Sequence, residues 1–526
     1  MHPRYTASLA TLDYRLVVFA SLLLSLWLIS IDPLVNRDAI IYLRAADAYL
    51  EQGFAASQQL FGRPLLSICF TVVHQITGLS LLSAGLLLNS LFYALFCTSF
   101  VLTVATLGGD RRVQLLAALV VLSHPILNDH RSSIVRDPAY WAFLLLAFRE
   151  LLLYARDPRW ATRLRWCAWI TLASLFRFEG VFFALLAPLS LLTLKQMPQR
   201  VKHCCYLLLP LLITATASVL TLLVLLPERL HLPAIERYIR GLTNLPAEFA
   251  AAAHSAGQAM LNSSAGEDAG IALIAALLAI LLLNILRAIT WPYVAVLLWG
   301  YHEKLLTRLR PDDARLLVAQ LLISLGYLAA FTAINRFMLE RYANQLGIFA
   351  LLYLPFILNA LWQADGRRHW KKIIVAALMV FMCLDSLHNS KHEKRFIRDA
   401  RDWLVQHTPQ DAQLLSNDKY LAYFSARAFN WPAANGHHFA LEGMLEDTAL
   451  LQQQDYLAMR VSAAELSQWG RFLQQHELQE IAVFEGGRHG SIRIVATPQL
   501  ALPNPAASIP APTLHTRGMN PQRERQ

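Results

Sequence analysis

The sequence predicts an α-helical polytopic membrane protein of about eleven transmembrane helices, with interfacial helices in its outer loops and a small C-terminal α/β domain. Two observations carry that expectation. Hydrophobic residues make up 56% of the 526 and charged residues only 16%, with a mean hydropathy of +0.39. A soluble surface needs roughly 25–35% charged residues, so much of this chain faces something other than water. The second is a change near residue 388, where long apolar runs give way to ordinary soluble sequence. The 25 Phe, 12 Trp and 17 Tyr exclude a disordered chain, and 22 Gly and 6 Cys exclude collagen-like and disulfide-scaffold classes.

A spanning helix needs about 20 mainly apolar residues. Apolar runs lie near 16–31, 79–106, 113–127, 139–155, 164–176, 181–194, 204–227, 269–300, 316–334, 343–363 and 373–387. The fifth and sixth are short and flank the polar Arg177-Phe178-Glu179-Gly180, as in a helical hairpin that stops short of full depth. The run 269–300 is long and contains Pro292, which tilts it, kinks it or divides it. The first run has no small-residue cleavage site behind it and reads as a retained helix.

The net charge of +10 is not a nucleic-acid footprint, because its placement is wrong for one. Basic residues cluster between apolar runs: Arg111-Arg112, Arg156 to Arg165, Lys195 to Lys202, Lys304 to Arg315, Arg367 to Lys372. Cytoplasmic loops carry such clusters under the positive-inside rule. With the N-terminus inside, Lys195, Lys202, Lys304, Lys371 and Lys372 all fall on the cytoplasmic side, and the outer loops hold Arg but no Lys. The six cysteines lie in or beside apolar runs without a CxxC, which argues against disulfides and a thiolate zinc site.

Residues 1–387 thus form the membrane domain. Its outer loop 32–78 contains a stretch, Asp38 to Glu51, with Ile40, Ile41, Leu43, Ala46 and Leu50 at helical spacing against Arg44, Asp47 and Glu51. Such a helix lies along a membrane interface. The other long outer segment, 228–268, has weak caps and small residues. Residues 388–502 read as a soluble outer-face domain. Lys394 to His407 and Ala463 to His476 are its helices; Leu414-Leu415-Ser416, Ile481 to Phe484 and Ile492 to Val495 are its strands. Residues 503–526, rich in Pro, Ala and polar residues, read as a disordered tail.

Ionisable residues beside apolar helix ends are the informative ones. Asp38, four residues before Tyr42, is either a helix cap or a general base at the membrane surface. Asp137 stands before Pro138, a natural helix start, and with Arg136 it either frames the next span or acts. His124, Asp129 and His130 match no standard zinc spacing and read as a solvated loop. Arg177 and Glu179 are either a structural ion pair or a working one. Asn335-Arg336 and Glu340-Arg341-Tyr342 form either a short solvated loop or a grip for a lipid phosphate, which Arg holds with two parallel hydrogen bonds. Asn435-Gly436-His437-His438 reads as a turn. There is no P-loop, dinucleotide fingerprint, GxSxG or HExxH, so a nucleotide-driven pump has no support.

These sites, in this order, resemble the polytopic GT-C glycosyltransferases, which include protein O-mannosyltransferases and the lipid A aminoarabinose transferase. The resemblance rests on Asp38 with Tyr42, Ala45 and Ala46 in a long first outer loop, then Gly62-Arg63-Pro64-Leu65 and Thr77-Gly78-Leu79-Ser80. It continues with Asp137 before a span, Arg341-Tyr342 opening a late one, and Thr408 to Asp418 beginning a C-terminal domain. Asp38 is followed by Ala39, where the mannosyltransferases carry an Asp-Glu pair.

The resemblance implies sugar transfer from a polyprenyl-phosphate donor to a glycan, lipid or protein acceptor at the periplasmic face of a bacterial inner membrane. On that pattern Asp38 and Asp137 are the catalytic carboxylates, and Arg341, Arg336 and Arg177 stabilise the donor phosphate. Tyr42, Glu179, Arg63 and Tyr342 line the substrate site. Some members use a divalent cation, and Asp38 and Asp137 are the residues that would take Mg²⁺ or Mn²⁺. The competing readings are a secondary transporter, which calls for inverted repeats that the sequence does not display, and a non-catalytic subunit of envelope polysaccharide assembly.

The lysine distribution generates a topology test. Reporter fusions after about residue 400 are expected to signal from outside the cytoplasm, and fusions near Arg308 from within. A cytoplasmic signal after residue 400 would refute the odd number of spans.

Overall fold

The structure is a computed structural model that describes residues 12–32, 34–225, 240–241, 243–260, 268–305, 309–363, 369–387 and 394–497. The loop at Arg308, much of 228–268 and the tail 503–526 lie outside the described residues. The chain divides into two compact units, Met1–His392 and Glu393–Gln526.

The first unit is helical. Its elements are α1 (Tyr14–Ile31), α2 (Arg37–Gln52), α3 (Phe54–Leu60), α4 (Leu65–Thr77), α5 (Leu81–Thr106), α6 (Arg111–Leu122), α7 (Pro125–Asn128), α8 (Asp137–Arg156), α9 (Trp160–Phe176) and α10 (Glu179–Leu186). A 3₁₀ segment (Ala187–Thr193) follows, then α11 (Arg200–Leu225), α12 (Leu245–Met260), α13 (Ala269–Ile289), α14 (Trp291–His302), α15 (Pro311–Asn335), α16 (Glu340–Leu351), α17 (Leu354–Gln363) and α18 (His369–Leu387). Five of these, α1, α5, α8, α13 and α15, are long and apolar enough to cross a membrane, or six if α16 and α17, bent by 43°, are one span.

Several of the expected apolar runs are divided among the described residues. The run 269–300 breaks at Thr290, a β-branched residue held at φ +69° between α13 and Pro292. The hairpin at 164–194 is made of short pieces, α9, α10 and the 3₁₀ turn. Its turn is tight: a Cβ on Gly180 would come within 2.6 Å of the Ser174 amide nitrogen. The segment 228–268 contributes α12, whose Gly257 closes on Ala269 at the start of α13.

Helix starts follow the sequence. Asp13, Ser80 and Asp110 cap α1, α5 and α6 by accepting backbone N–H groups of the first turn. α8 is buried along nearly its whole length and packs between α5 and α9. At its C-terminal end, Glu150 accepts from Arg149 (2.7 Å) and Arg165 (2.9 Å), and Arg156 reaches Asp313 of α15 (2.6 Å). Further on, the buried Lys371 pairs with Glu303 (2.9 Å) and lies over the rings of Trp299 and Trp370.

Arg131 holds α1 to this core. It is fully buried, and its donors are met by Asn128 Oδ1 (2.7 Å), Ser21 O (3.0 Å), Ser21 Oγ (2.9 Å), Ser25 Oγ (2.9 Å) and Cys97 Sγ (3.3 Å). Its guanidinium lies 4.4 Å from the centroid of the Tyr93 ring.

The second unit contains α19 (Arg395–His407), β1 (Leu414–Leu415), α20 (Lys419–Phe424), α21 (Trp431–Gly436), α22 (Leu441–Glu446), α23 (Thr448–Leu451), β2 (Tyr456–Val461), α24 (Leu466–Gln475), β3 (Glu480–Glu485) and β4 (Ser491–Ala496). The four-stranded sheet has the order β1-β2-β4-β3, with β1 parallel to β2 and the other pairs antiparallel. Its core gathers Leu415, Leu457, Met459, Trp469 and Val495. Arg427 donates to the carbonyls of Leu404, Val405 and Thr408, closing the C-terminus of α19 as a cation there should. Ala463 to His476 and Lys394 to His407 match α24 and α19 to within three residues. Of the expected turn, Asn435 and Gly436 instead end α21, and the turn begins at His437, with His438 and Phe439 both at positive φ.

The Arg131 anchor is testable in purified protein. Ser25→Ala removes a hydrogen bond to a charged group, worth about 1.5–3 kcal/mol, and should lower the melting temperature. Arg131→Lys keeps the charge but cannot serve Asn128, both serines and Cys97 together, so it should destabilise at least as much.

Candidate active site

Asp38 lies in the first turn of α2. Asn36, not Asp38, occupies the cap position, so the capping role considered for Asp38 belongs elsewhere. Asn36 faces the chain before α8: its Nδ2 donates to Ile134 O (3.3 Å) and its Oδ1 accepts from Ile134 N (2.9 Å). Asp32 accepts from the Ser132 hydroxyl. These contacts fasten the segment 132–136 to the entry of α2. They bring Asp38 and Asp137, about a hundred residues apart in the chain, to one cavity.

That cavity has a volume of about 450 Å³ and is lined by Asp38, Tyr42, Arg63, Arg136, Asp137, Arg177, Glu179, Arg341 and Tyr342, with apolar walls from Ile41, Phe61, Phe178 and Phe331. The four regions singled out in the sequence therefore meet. Arg336 does not join them. It is exposed at the C-cap of α15, where its guanidinium donates to Glu248 O (3.0 Å) and pairs with the Glu248 carboxylate (3.3 Å).

Two ion pairs divide the floor from the mouth. On the floor Arg177, 8% exposed, donates to Asp137 through Nη1 and to Glu179 through Nε (3.2 Å) and Nη2 (2.5 Å). Its guanidinium sits 5.2 Å from the Tyr342 ring centroid. Burial works against a charged Glu179, but the Arg177 guanidinium overrides it and holds the carboxyl down at about 2. At the mouth Arg341 Nη1 donates to Asp38 Oδ2 at 2.6 Å. Both side chains keep solvent access, 27% for Arg341 and 38% for Asp38. The buried Arg341 Nε has no hydrogen-bond partner.

Arg136, for which the sequence left framing the next span and a functional role both open, lines the cavity. Its Nε donates to the Tyr42 hydroxyl (3.2 Å), and its guanidinium lies 5.1 Å from the Phe61 centroid. Burial pushes the Tyr42 hydroxyl above its ordinary range, which keeps it a neutral acceptor. No spacing rule connects residue 136 to residue 42, so only the fold reveals this contact. Arg63 lies 5.5 Å from the Phe178 centroid. Tyr140 of α8 donates to Gln345 of α16 at 2.6 Å, which sets the helix of Arg341 against the helix of Asp137.

His124, Asp129 and His130 do not assemble. His124 is buried, caps α7 through Nδ1 (3.2 Å from Leu127 N), and burial lowers it to about 4. Among the described residues no group of three His, Cys, Asp or Glu side chains is placed to hold a metal ion. Asp137 and Glu179 already share Arg177, and Asp38 holds Arg341.

No family model and no curated relative matches the chain. Among solved structures it is similar to ArnT from Cupriavidus metallidurans bound to undecaprenyl phosphate, with a TM-score of 0.52 at 12% identity over 92% of this chain and 97% of that one. Looser likenesses are the Archaeoglobus fulgidus oligosaccharyltransferase in its apo form (12% identity, 85% and 69% of the two chains, TM-score 0.47) and the arabinofuranosyltransferase AftD from Mycobacteria (14%, 93% and 40%, TM-score 0.46). The likeness to ArnT is one of fold: this chain shares the overall architecture of that structure.

The floor of the cavity has a measurable signature. Removing one partner of a buried ion pair costs about 3–5 kcal/mol, because the other charge is left uncompensated. Arg177→Met strands two carboxylates and should lower the melting temperature accordingly. In the native protein Glu179, held below its ordinary value of 4.5, contributes stability above that value and loses it as pH falls toward about 2. In Arg177→Met the largest opposition to burial is gone and only hydrogen bonds from Tyr327 and the backbone still lower Glu179, so the loss of stability on acidification should shrink and begin at higher pH.

Proposed function

We propose that the protein is a membrane glycosyltransferase that moves a sugar from a polyprenyl-phosphate-linked donor to an acceptor hydroxyl on a glycan, lipid or protein. The observation that carries this reading is the cavity in which Asp38 and Arg341 face each other at 2.6 Å, with Arg341 Nε unpartnered. Four arginines there, Arg63, Arg136, Arg177 and Arg341, stand against three carboxylates, so the cavity carries a surplus of positive charge suited to a phosphate. The ArnT structure that shares this fold is bound to undecaprenyl phosphate, which supports a lipid donor of that class.

In this reading the donor phosphate enters at the mouth and takes the guanidinium fork of Arg341, including its idle Nε. Asp38 gives up part of its hold on Arg341 and turns to the acceptor. The acceptor oxygen bonds to the anomeric carbon as that carbon's bond to the phosphate oxygen breaks, and the hydroxyl proton passes to the Asp38 carboxylate. Negative charge grows on the departing polyprenyl phosphate, where Arg341 and Arg136 stabilise it in a partly water-excluded site. Asp137, 4% exposed and held by Arg177, is too enclosed to be the base. It positions Arg177, which supplies fixed positive charge at the floor. Arg336, engaged with Glu248, has no part in the phosphate site.

The donor lipid cannot leave the bilayer, so the cavity belongs at the membrane surface. The lysine distribution supports an outer-face cavity with the N-terminus cytoplasmic, and the family resemblance supports the periplasmic side of a bacterial inner membrane. No step here calls for a metal.

Asp38→Asn preserves shape but cannot take a proton at neutral pH. Transfer of labelled sugar in proteoliposomes should fall by about 10²–10⁴-fold, with melting behaviour near native. Arg341→Ala should raise the apparent donor KM or abolish transfer, and Arg341→Lys should recover it only in part, because Lys lacks the fork. Full activity of both Asp38→Asn and Asp137→Asn would sink the glycosyltransferase reading.

A further inference from the structure

A second cavity, of about 470 Å³, lies among α1, α7, α13, α14 and α18 and shares no lining residue with the charged one. Its walls are apolar, with Leu28, Leu283, Phe381 and Met382 among them. Among the polar residues that line it, three are charged. Asp129, Asp385 and Arg287 line it as exposed residues, two carboxylates and one guanidinium. Among the described residues, Arg287 and Asp385 have no ion-pair partner. Deeper in, Thr290 is 8% exposed and its hydroxyl is buried with no hydrogen-bond partner.

Thr290 is also strained. A β-branched residue at φ +69° sits in the left-handed region that favours glycine, and such strain persists only where the surroundings enforce it. Here it ends α13, opens α14 and sets a polar hydroxyl into an apolar wall. A buried hydroxyl without a partner is costly unless something bonds it. An apolar pocket with a few convergent polar groups is the usual form of a small-molecule site.

We propose that this cavity binds a phospholipid with a zwitterionic, primary-amine headgroup. The acyl chain lies against Leu28, Leu283 and Phe381. The ammonium donates to the Asp129 and Asp385 carboxylates, and the phosphate accepts from Arg287. The charge set chooses among headgroups. A purely anionic head would put its charge beside two carboxylates. A quaternary ammonium has no N–H to donate, so it forfeits the charge-assisted hydrogen bonds. A primary ammonium next to a phosphate matches the charges of all three side chains and gives Asp385 and Arg287 ion-pair partners. The wall residues Asn128, Asp129 and Ser132 belong to the same connection that continues to Arg136 and Asp137, so the lipid would lie against the segment that shapes the charged cavity.

The test uses purified full-length protein in detergent, titrated with phosphatidylethanolamine, phosphatidylcholine or phosphatidylglycerol of identical acyl chains. Bound lipid is counted by native mass spectrometry. Phosphatidylethanolamine should bind at least about tenfold more tightly than the other two. The double variant Asp129→Asn, Asp385→Asn should lose that preference while its phosphatidylcholine binding stays unchanged. Leu283→Trp, which fills the cavity from its apolar wall, should abolish tight binding of all three. Equal affinities, a preference for phosphatidylglycerol, or an ethanolamine preference surviving in either variant would overturn the proposal. The readout is binding alone, so failure here leaves the transferase reading standing, and failure of that reading leaves this one.

Discussion

A guanidinium removed from water must be paired, and Arg177 is paired twice. The rest of the charged cavity depends on that requirement. The two carboxylates that satisfy it come from different helices, Asp137 from α8 and Glu179 from α10, so the ion pair also settles where those helix ends lie. Gly180 lets the α9–α10 turn close tightly enough for Glu179 to reach. With the floor neutralised from within, the mouth is left to Asp38 and Arg341, a pair that keeps contact with solvent and can be exchanged for substrate. Burial thus separates an enclosed carboxylate, Asp137, from a solvent-accessible one, Asp38, within a single cavity.

The same economy recurs in the connections. Asp32 and Asn36 precede α2, and Ser132 and Ile134 precede α8; their hydrogen bonds turn two loops into one wall. Arg131, a few residues earlier, is locked into the α1–α5 core by neutral acceptors and the Tyr93 ring. A loop anchored at such a point cannot drift, which is what a site on loops needs if it is to hold its geometry. Tyr140 and Gln345 do the corresponding work between α8 and α16. In this fold, shared with ArnT at 12% identity, helices provide the frame and helix entries carry the charged residues of the cavity.

The second unit was built by different means. Its sheet is centred on β2 and β4, and β2 is the strand that the sequence reading missed. Tyr456-Leu457-Ala458-Met459-Arg460-Val461 is full of residues that favour helix, and its burial on both faces leaves no alternation to detect. Pairing with β1 and β4 decides its conformation. The strands β3 and β4, rich in β-branched and aromatic residues, announce themselves.

Hydropathy determined much of this protein without any structure. The apolar runs become helices within a few residues of their expected ends, because a twenty-residue stretch with almost no charge has few alternatives. Costly charges beside such runs pointed to Asp38, Asp137, Arg177, Glu179 and Arg341, all of which line one cavity. Tertiary structure decided the remainder. It turned Arg336 away to Glu248, recruited Arg136 through Tyr42, and gave Asp137 and Asp38 different partners. It also broke the 269–300 run at Thr290 and opened a second cavity there. These are matters of which side chains meet across long stretches of chain. Local pattern records that a charge is expensive where it stands, but only the packed helices determine which opposite charge relieves it.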